Sequence, residues 1–184
     1  MRRLSAAVLR DAIAREHFAV LATQGDDGSP HSAGVTYSAH VEDERLVLYV
    51  MSRRHLRKAR DVERAPRVSL VIPVPRPILT FLPPATIQLS GRAELLPQDS
   101  ASGLAAFRRF MLGRRIIASY EAMRMNGERR ICFIRIVLDP AVRSYMVGTG
   151  IVQAARHMES AAATGDLCAH QGAAVVRAAH GSGV

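Results

Sequence analysis

The sequence predicts a mainly β protein with flanking helices, built as a small six-stranded antiparallel β-barrel. Three observations point there. Six runs of alternating or β-branched apolar residues recur up to Val147, turn-forming clusters separate the early runs, and only short amphipathic segments interrupt the later ones. Closing six such strands into a ring leaves no exposed sheet edge.

The elements follow in order. Ser5 suits a helix N-cap, and Ala6, Leu9, Ala12 and Ile13 recur behind it at helical spacing, so a first helix runs to about His17. Phe18 to Thr23 reads as a strand, and Gly25-Asp26-Asp27-Gly28-Ser29-Pro30 is dense in turn formers, the signature of a hairpin. Its return strand covers about His31 to Ala39. After a polar turn at Glu42 to Glu44, a third strand spans Leu46 to Met51. Leu56, Ala59 and Val62 share a face of a short surface helix closed by Pro66. Arg67 to Pro73 is the fourth strand, and five prolines between Pro73 and Pro84 exclude a helix in the loop that follows. Thr86 to Leu96 alternates as a fifth strand. Asp99 or Ser100 caps a helix presenting Leu104, Phe107, Phe110 and Met111, and a second short helix includes Ile116 to Met123. Arg130 to Leu138 is the sixth strand, resuming at Val142 to Val147 beyond Pro140.

A chain of 184 residues fits one domain, assigned here to 1–150, with 151–184 an Ala/Gly-rich C-terminal tail that is partly helical or disordered. No run approaches the roughly 18 apolar residues of a membrane span. Arg10, Asp11, Arg15 and Glu16 break up any secretory core near the start, so the expected location is the cytoplasm. Two cysteines, Cys132 and Cys168, offer neither a disulfide framework nor a metal pair. The formal charge is +9, and 24 of the 25 basic residues are arginine, Lys58 being the exception. Between Arg53 and Arg67 seven basic residues stand against Asp61 and Glu63, so +5 of the charge sits in that segment.

That segment carries the chemistry. A strand ending at Met51-Ser52 and turning into a basic helix brings a hydroxyl, backbone amides and a helix N-terminus together, a setting that binds anions. Arg57 can grip a phosphate with two parallel hydrogen bonds, while Lys58 serves as a mobile point charge. Taken alone, the pattern is a weak signal, because a basic helix face is more often plain solvated surface than a phosphate site.

Residues Phe18 to Pro30 resemble the opening strand and hairpin of the pyridoxamine 5'-phosphate oxidase-like FMN-binding split barrels. Met51-Ser52, Arg57-Lys58, Ala65 to Leu70 and Ile87 to Leu96 resemble that family's third strand, phosphate-binding turn, fourth strand and fifth strand, so the likeness covers about residues 6 to 147. It implies a split barrel that binds FMN and acts as an oxidoreductase on a small-molecule substrate. The flavin lies at the interface of a homodimer in that family. By the same likeness Met51 and Ser52 border the flavin, Arg57 and Lys58 hold its phosphate, and Val35 and Thr36, on a second strand at Ala33 to Ser38, meet its ring. Thr86 stands where the family has a flavin-contacting glutamine. Authentic pyridoxamine phosphate oxidases carry Arg and Lys at the ends of the second-strand motif, whereas this chain has Ala33 and Ser38, which separates it from that vitamin chemistry.

Other readings draw on fewer residues. Some split barrels bind heme, and a heme- or deazaflavin-binding protein acting as carrier or reductase is the alternative, with His31, His40, His55 and His157 near the expected pocket. No HExxH or Cys/His cluster marks a metal site, and no catalytic side chain is assigned. Tyr37 and Tyr49 read as core, Arg114-Arg115 as a solvated pair, and Ile78, Leu79, Phe81 and Leu82 as a cover for the flavin, a partner or the chain's own core. The basic helix lacks the aromatic residues that single-strand nucleic-acid binders interleave with charge.

Overall fold

Alternate burial along each strand bends this sheet around its own apolar face. The computed structural model describes residues 2–75, 84–147 and 162–167. In chain order it has β1 (Arg2–Leu4), α1 (Ala6–Arg15), β2 (Phe18–Gln24), β3 (Pro30–Glu42), β4 (Arg45–Arg53), α2 (Arg57–Arg64), β5 (Arg67–Val74), β6 (Ala85–Pro97), α3 (Ala101–Arg108), α4 (Met111–Met125), β7 (Ile131–Leu138), β8 (Ala141–Tyr145) and β9 (Ala162–Asp166). The six expected strands are β2 to β7. They close a ring in which β6 pairs β5, β5 pairs β2, then β3, β4 and β7 follow, and β7 returns to β6, every pairing antiparallel.

Strand β6 makes the split. Along one edge it pairs β5 from Ala85 to Arg92, while along the other Thr86 to Gln88 meet β8 and Gly91 to Pro97 meet β7. At Gly91 the two backbones run so close that a Cβ would lie 2.6 Å from the Val137 carbonyl oxygen. Beyond β8 the sheet continues through β9 to β1. These last two strands were not expected. The tail was read as helix or disorder, yet its residues 162–166 pair with Tyr145 to Ala141 and, in parallel, with Arg2 to Leu4.

Two apolar clusters form on opposite sides of the barrel wall. Leu21, Tyr37, Leu48, Leu70, Ile87 and Ile134 fill the interior, where α1 also inserts Leu9 and Ile13. Val47, Tyr49 and Phe133 point outward instead, and α3 and α4 cover them with Phe107 and Ile117. Helix α1 ends at Arg15, two residues before the expected His17. The helix expected to run from Ser100 through Met111 breaks in two, with Phe110 the N-cap of α4 and Met111 exposed. The break lets α4 fold back on α3 at Gly113, where a Cβ would strike the Phe107 carbonyl oxygen.

The outer face of β3, β2, β5 and β6 carries no helix among the described elements with several contacts to it, apart from α3 on the far part of β3 and α2 beside β2 and β6. Register aligns its residues in rows: Gly34 opposite Val20, Val20 opposite Val71, Val71 opposite Gln88. Phe18 faces Thr36, and Thr86 lies between Pro73 and Tyr145. Small and uncharged side chains dominate there, with Phe18 half exposed. No helix among the described residues is long and apolar enough to cross a membrane. Ile78, Leu79, Phe81, Leu82, His157 and Cys168 lie outside the described residues.

Candidate functional site

Helix α2 begins without a side-chain cap. Its N-cap is Leu56, whose side chain has no oxygen to offer, whereas Ser5 and Ser100 cap α1 and α3 by accepting from the Val8 and Gly103 amides. Amides at such a start attract anions, an effect reinforced by the aligned peptide dipoles. In front of it lies an open cleft of about 420 Å³ lined by Leu56, Arg57 and Lys58 from α2, Thr23 from β2, and Pro30 to Ala33 from β3. Arg57 and Lys58 have no ion-pair partner among the described residues. Ala33, one of the two positions where the related oxidases carry a cation, lines this cleft with a methyl group. The other, Ser38, is committed elsewhere, its Oγ donating to the Ala106 carbonyl at 2.8 Å.

The remaining predicted residues divide between the faces of the barrel wall. Val35 is buried in the interior, opposite Ala19. Ser52 is 1% exposed, and its Oγ has no hydrogen-bond partner among the described residues. Met51, one residue earlier, points to the other side, as strand alternation requires, and packs with the α3–α4 cluster. It lines a smaller pocket of about 140 Å³ with Leu104, Ile117, Tyr120 and Ile131. Thr36 and Thr86 lie on the outer sheet face, opposite Phe18 and Pro73 respectively. One chain therefore brings Arg57 and Lys58 together in the cleft and leaves Thr36, Met51 and Thr86 on the outer side of the wall.

Sequence reasoning missed the polar group behind the cleft. Asp61 stands three residues after Lys58, hence on the same side of α2, and its side chain is 5% exposed. Thr23 Oγ1 donates to Asp61 Oδ2 at 2.8 Å, and His31 Nδ1 lies 3.0 Å from the same oxygen. Burial pushes the Asp61 carboxyl upward, but the hydrogen bonds from His31 and Thr23 and the nearby positive charge outweigh it and hold it below its ordinary value. The one available signal was spacing, since Lys58, Asp61 and Val62 share a helical side. Among the described residues no group of three His, Cys, Asp or Glu side chains is placed to hold a metal ion. His31 and His40 lie at opposite ends of β3, and His55 is exposed.

A second basic recess of about 350 Å³ is lined by Arg45, Arg67, Arg92 and Arg135. Most of its charge is answered internally: Arg67 makes a two-pronged pair with Asp139, and Arg135 bonds Glu42 and Glu94.

Comparison with known proteins agrees with this architecture. Residues 6–137, well over half of the chain, match the family described as pyridoxamine 5'-phosphate oxidase. No curated protein matches the sequence. Among solved structures, the chain is similar to the heme storage protein HutZ from Vibrio cholerae, with 16% identity, 77% of this chain and 94% of that one covered, and a TM-score of 0.55. It is similar to a heme binding protein from Mycobacterium smegmatis at 20% identity, covering 78% of this chain and 55% of that one, with a TM-score of 0.58. A pyridoxamine 5'-phosphate oxidase-related, FMN binding protein from Nostoc punctiforme aligns at 12% identity over 76% of this chain and 79% of that one, with a TM-score of 0.52. These identities speak for the fold, the six-stranded ring supplies it, and the match over residues 6–137 places the chain in the pyridoxamine 5'-phosphate oxidase family.

Proposed function

We propose that this chain is an FMN-binding oxidoreductase that works as a homodimer. The observation that carries the reading is the cleft at the start of α2, where a side-chain-uncapped helix N-terminus meets Arg57 and Lys58, neither of them paired. A phosphomonoester dianion fits that donor set. The buried, unpartnered Ser52 Oγ, just ahead of the turn into α2, supplies a further polar atom that the chain alone does not satisfy.

When bound, FMN supplies the hydride or electron transfer. The chain's own residues bind and orient. Arg57 and Lys58 neutralise the phosphate, while the outer sheet face at Gly34 and Thr36, adjoining Phe18, offers a flat surface with little side chain in the way. Thr36, Met51 and Thr86 do not share the cleft with Arg57, and a second copy laid on the outer face would complete the enclosure and exclude water. The uncharged middle of that face, where Val20 and Val71 lie between Gly34 and Gln88, supports such a partner, with Arg143, Arg67 and Arg92 left at its margins.

Titration with FMN tests the reading. We expect absorbance near 450 nm from the bound flavin and a loss of roughly a hundredfold in affinity when Arg57 and Lys58 are both changed to Ala, with far-UV circular dichroism unchanged. Equal affinity in the double variant sinks the assignment. The second reading, a heme- or deazaflavin-binding carrier or reductase, draws on the heme proteins among the structural neighbours. A Soret band in the purified protein would favour heme, and retention of a deazaflavin in preference to FMN would favour the other.

A further inference from the structure

His31 sits in the middle of a hydrogen-bonded chain whose arithmetic assigns its protons. A carboxylate accepts and cannot donate, so the 3.0 Å contact between His31 Nδ1 and Asp61 Oδ2 requires a proton on Nδ1. On the other side of the ring Nε2 lies 3.1 Å from Ser29 Oγ. That hydroxyl has one proton, and it is donated to Asp27 Oδ1 at 2.5 Å, a bond that holds the Asp27 carboxyl below its ordinary value. Nε2 therefore faces an oxygen that can only accept, so a second proton there has a partner waiting, and the ring so charged would line the same cleft as Arg57 and Lys58.

Its surroundings are built to hold that charge in place. Asp61 is buried, fixed by Thr23 Oγ1 at 2.8 Å and touched by Arg64 at 3.5 Å, so it cannot swing away from the ring. Building on the phosphate reading of the cleft, we propose that His31 is its third cationic donor, turning Nε2–H from Ser29 to a phosphate oxygen, with Asp61 the positioning residue behind it.

The ratio of FMN to riboflavin affinity tests this, because riboflavin lacks only the phosphate. His31→Gln is expected to lower that ratio by a factor of roughly ten to a hundred while leaving riboflavin affinity unchanged, the worth of one charged hydrogen bond. Asp61→Asn should lower it less, and Ser29→Ala, which frees Nε2–H from its competitor, should hold or raise it. These two variants decide the matter if His31→Gln does not fold. An unchanged ratio in His31→Gln, or equal losses for both flavins, overturns the clamp and leaves the FMN assignment standing. Should the wild-type protein bind no flavin, the FMN reading fails and the clamp is judged on inorganic phosphate. A thermal midpoint raised by phosphate over chloride at equal ionic strength, and not raised in His31→Gln, supports it. An equal rise in both proteins, no rise in either, or a hemin Soret band that disappears with His31 overturns it.

Discussion

Asp61 on α2 and Cys132 on β7 show what burial does to two ionisable groups with different partners. Asp61 stays charged inside the protein because His31 and Thr23 replace its water. Its folded pKa lies below the roughly 3.9 of an unfolded aspartate, so its stabilising effect is present above that value and fades as pH falls through the folded one. Thermal midpoints recorded from pH 5 to pH 2 should therefore decline more steeply for the wild type than for Asp61→Asn. At neutral pH the variant should be less stable by about 1–3 kcal/mol, since Thr23 and His31 lose a charged acceptor inside the protein. Cys132 has no such rescue. It is fully buried opposite Ser52 on β4, and burial pushes its thiol up to about 11. Iodoacetamide at pH 8 should leave Cys132 unmodified in the native protein and label it once guanidinium unfolds the chain, with peptide mapping to identify the site.

Among the ring strands, β6 is constrained at Gly91, which lets the backbones of β6 and β7 approach as the ring closes. Gly91→Val should cost about 1–3 kcal/mol by denaturant unfolding and raise amide exchange first along the β6–β7 seam. The ring strands were legible in the sequence in two ways: β6 buries one face and alternates with period two from Thr86, whereas β4 is buried on both faces and reads as the continuous apolar run Leu46 to Met51. β1 and β9 were not. Three residues beginning Arg2-Arg3, and Ala162-Ala163-Thr164-Gly165-Asp166, carry little alternation, and they become strands only because β8 and each other supply the ladder. Arg57 and Lys58 were legible as a candidate site through the family resemblance, since a basic pair after a strand reads by itself as ordinary surface. Asp61 was hidden, since a carboxylate in a basic helix reads as surface until residues 38 and 30 positions away fold onto it.

For the whole molecule, the proposed dimer makes a prediction separable from the phosphate cleft. A lysine placed at Val20 or Val71, in the uncharged middle of the outer face, should convert a dimer into monomers in sedimentation velocity while leaving the barrel folded. Flavin affinity should fall with it even though Arg57 and Lys58 are untouched. A variant that stays dimeric with unchanged affinity would place the subunit contact on another surface. The route of the closing strand adds a consequence for synthesis. Strand β4 ends at Arg53, but its outer neighbour β7 begins only at Ile131, after three helices and two further strands have been made. A ribosome adding about 5–20 residues per second would leave the apolar edge of β4 without its ladder for several seconds. Truncation before residue 131 removes the strand that seals the ring, so nascent chains halted there should be the species that aggregates and engages chaperones, while chains released after Leu138 should not.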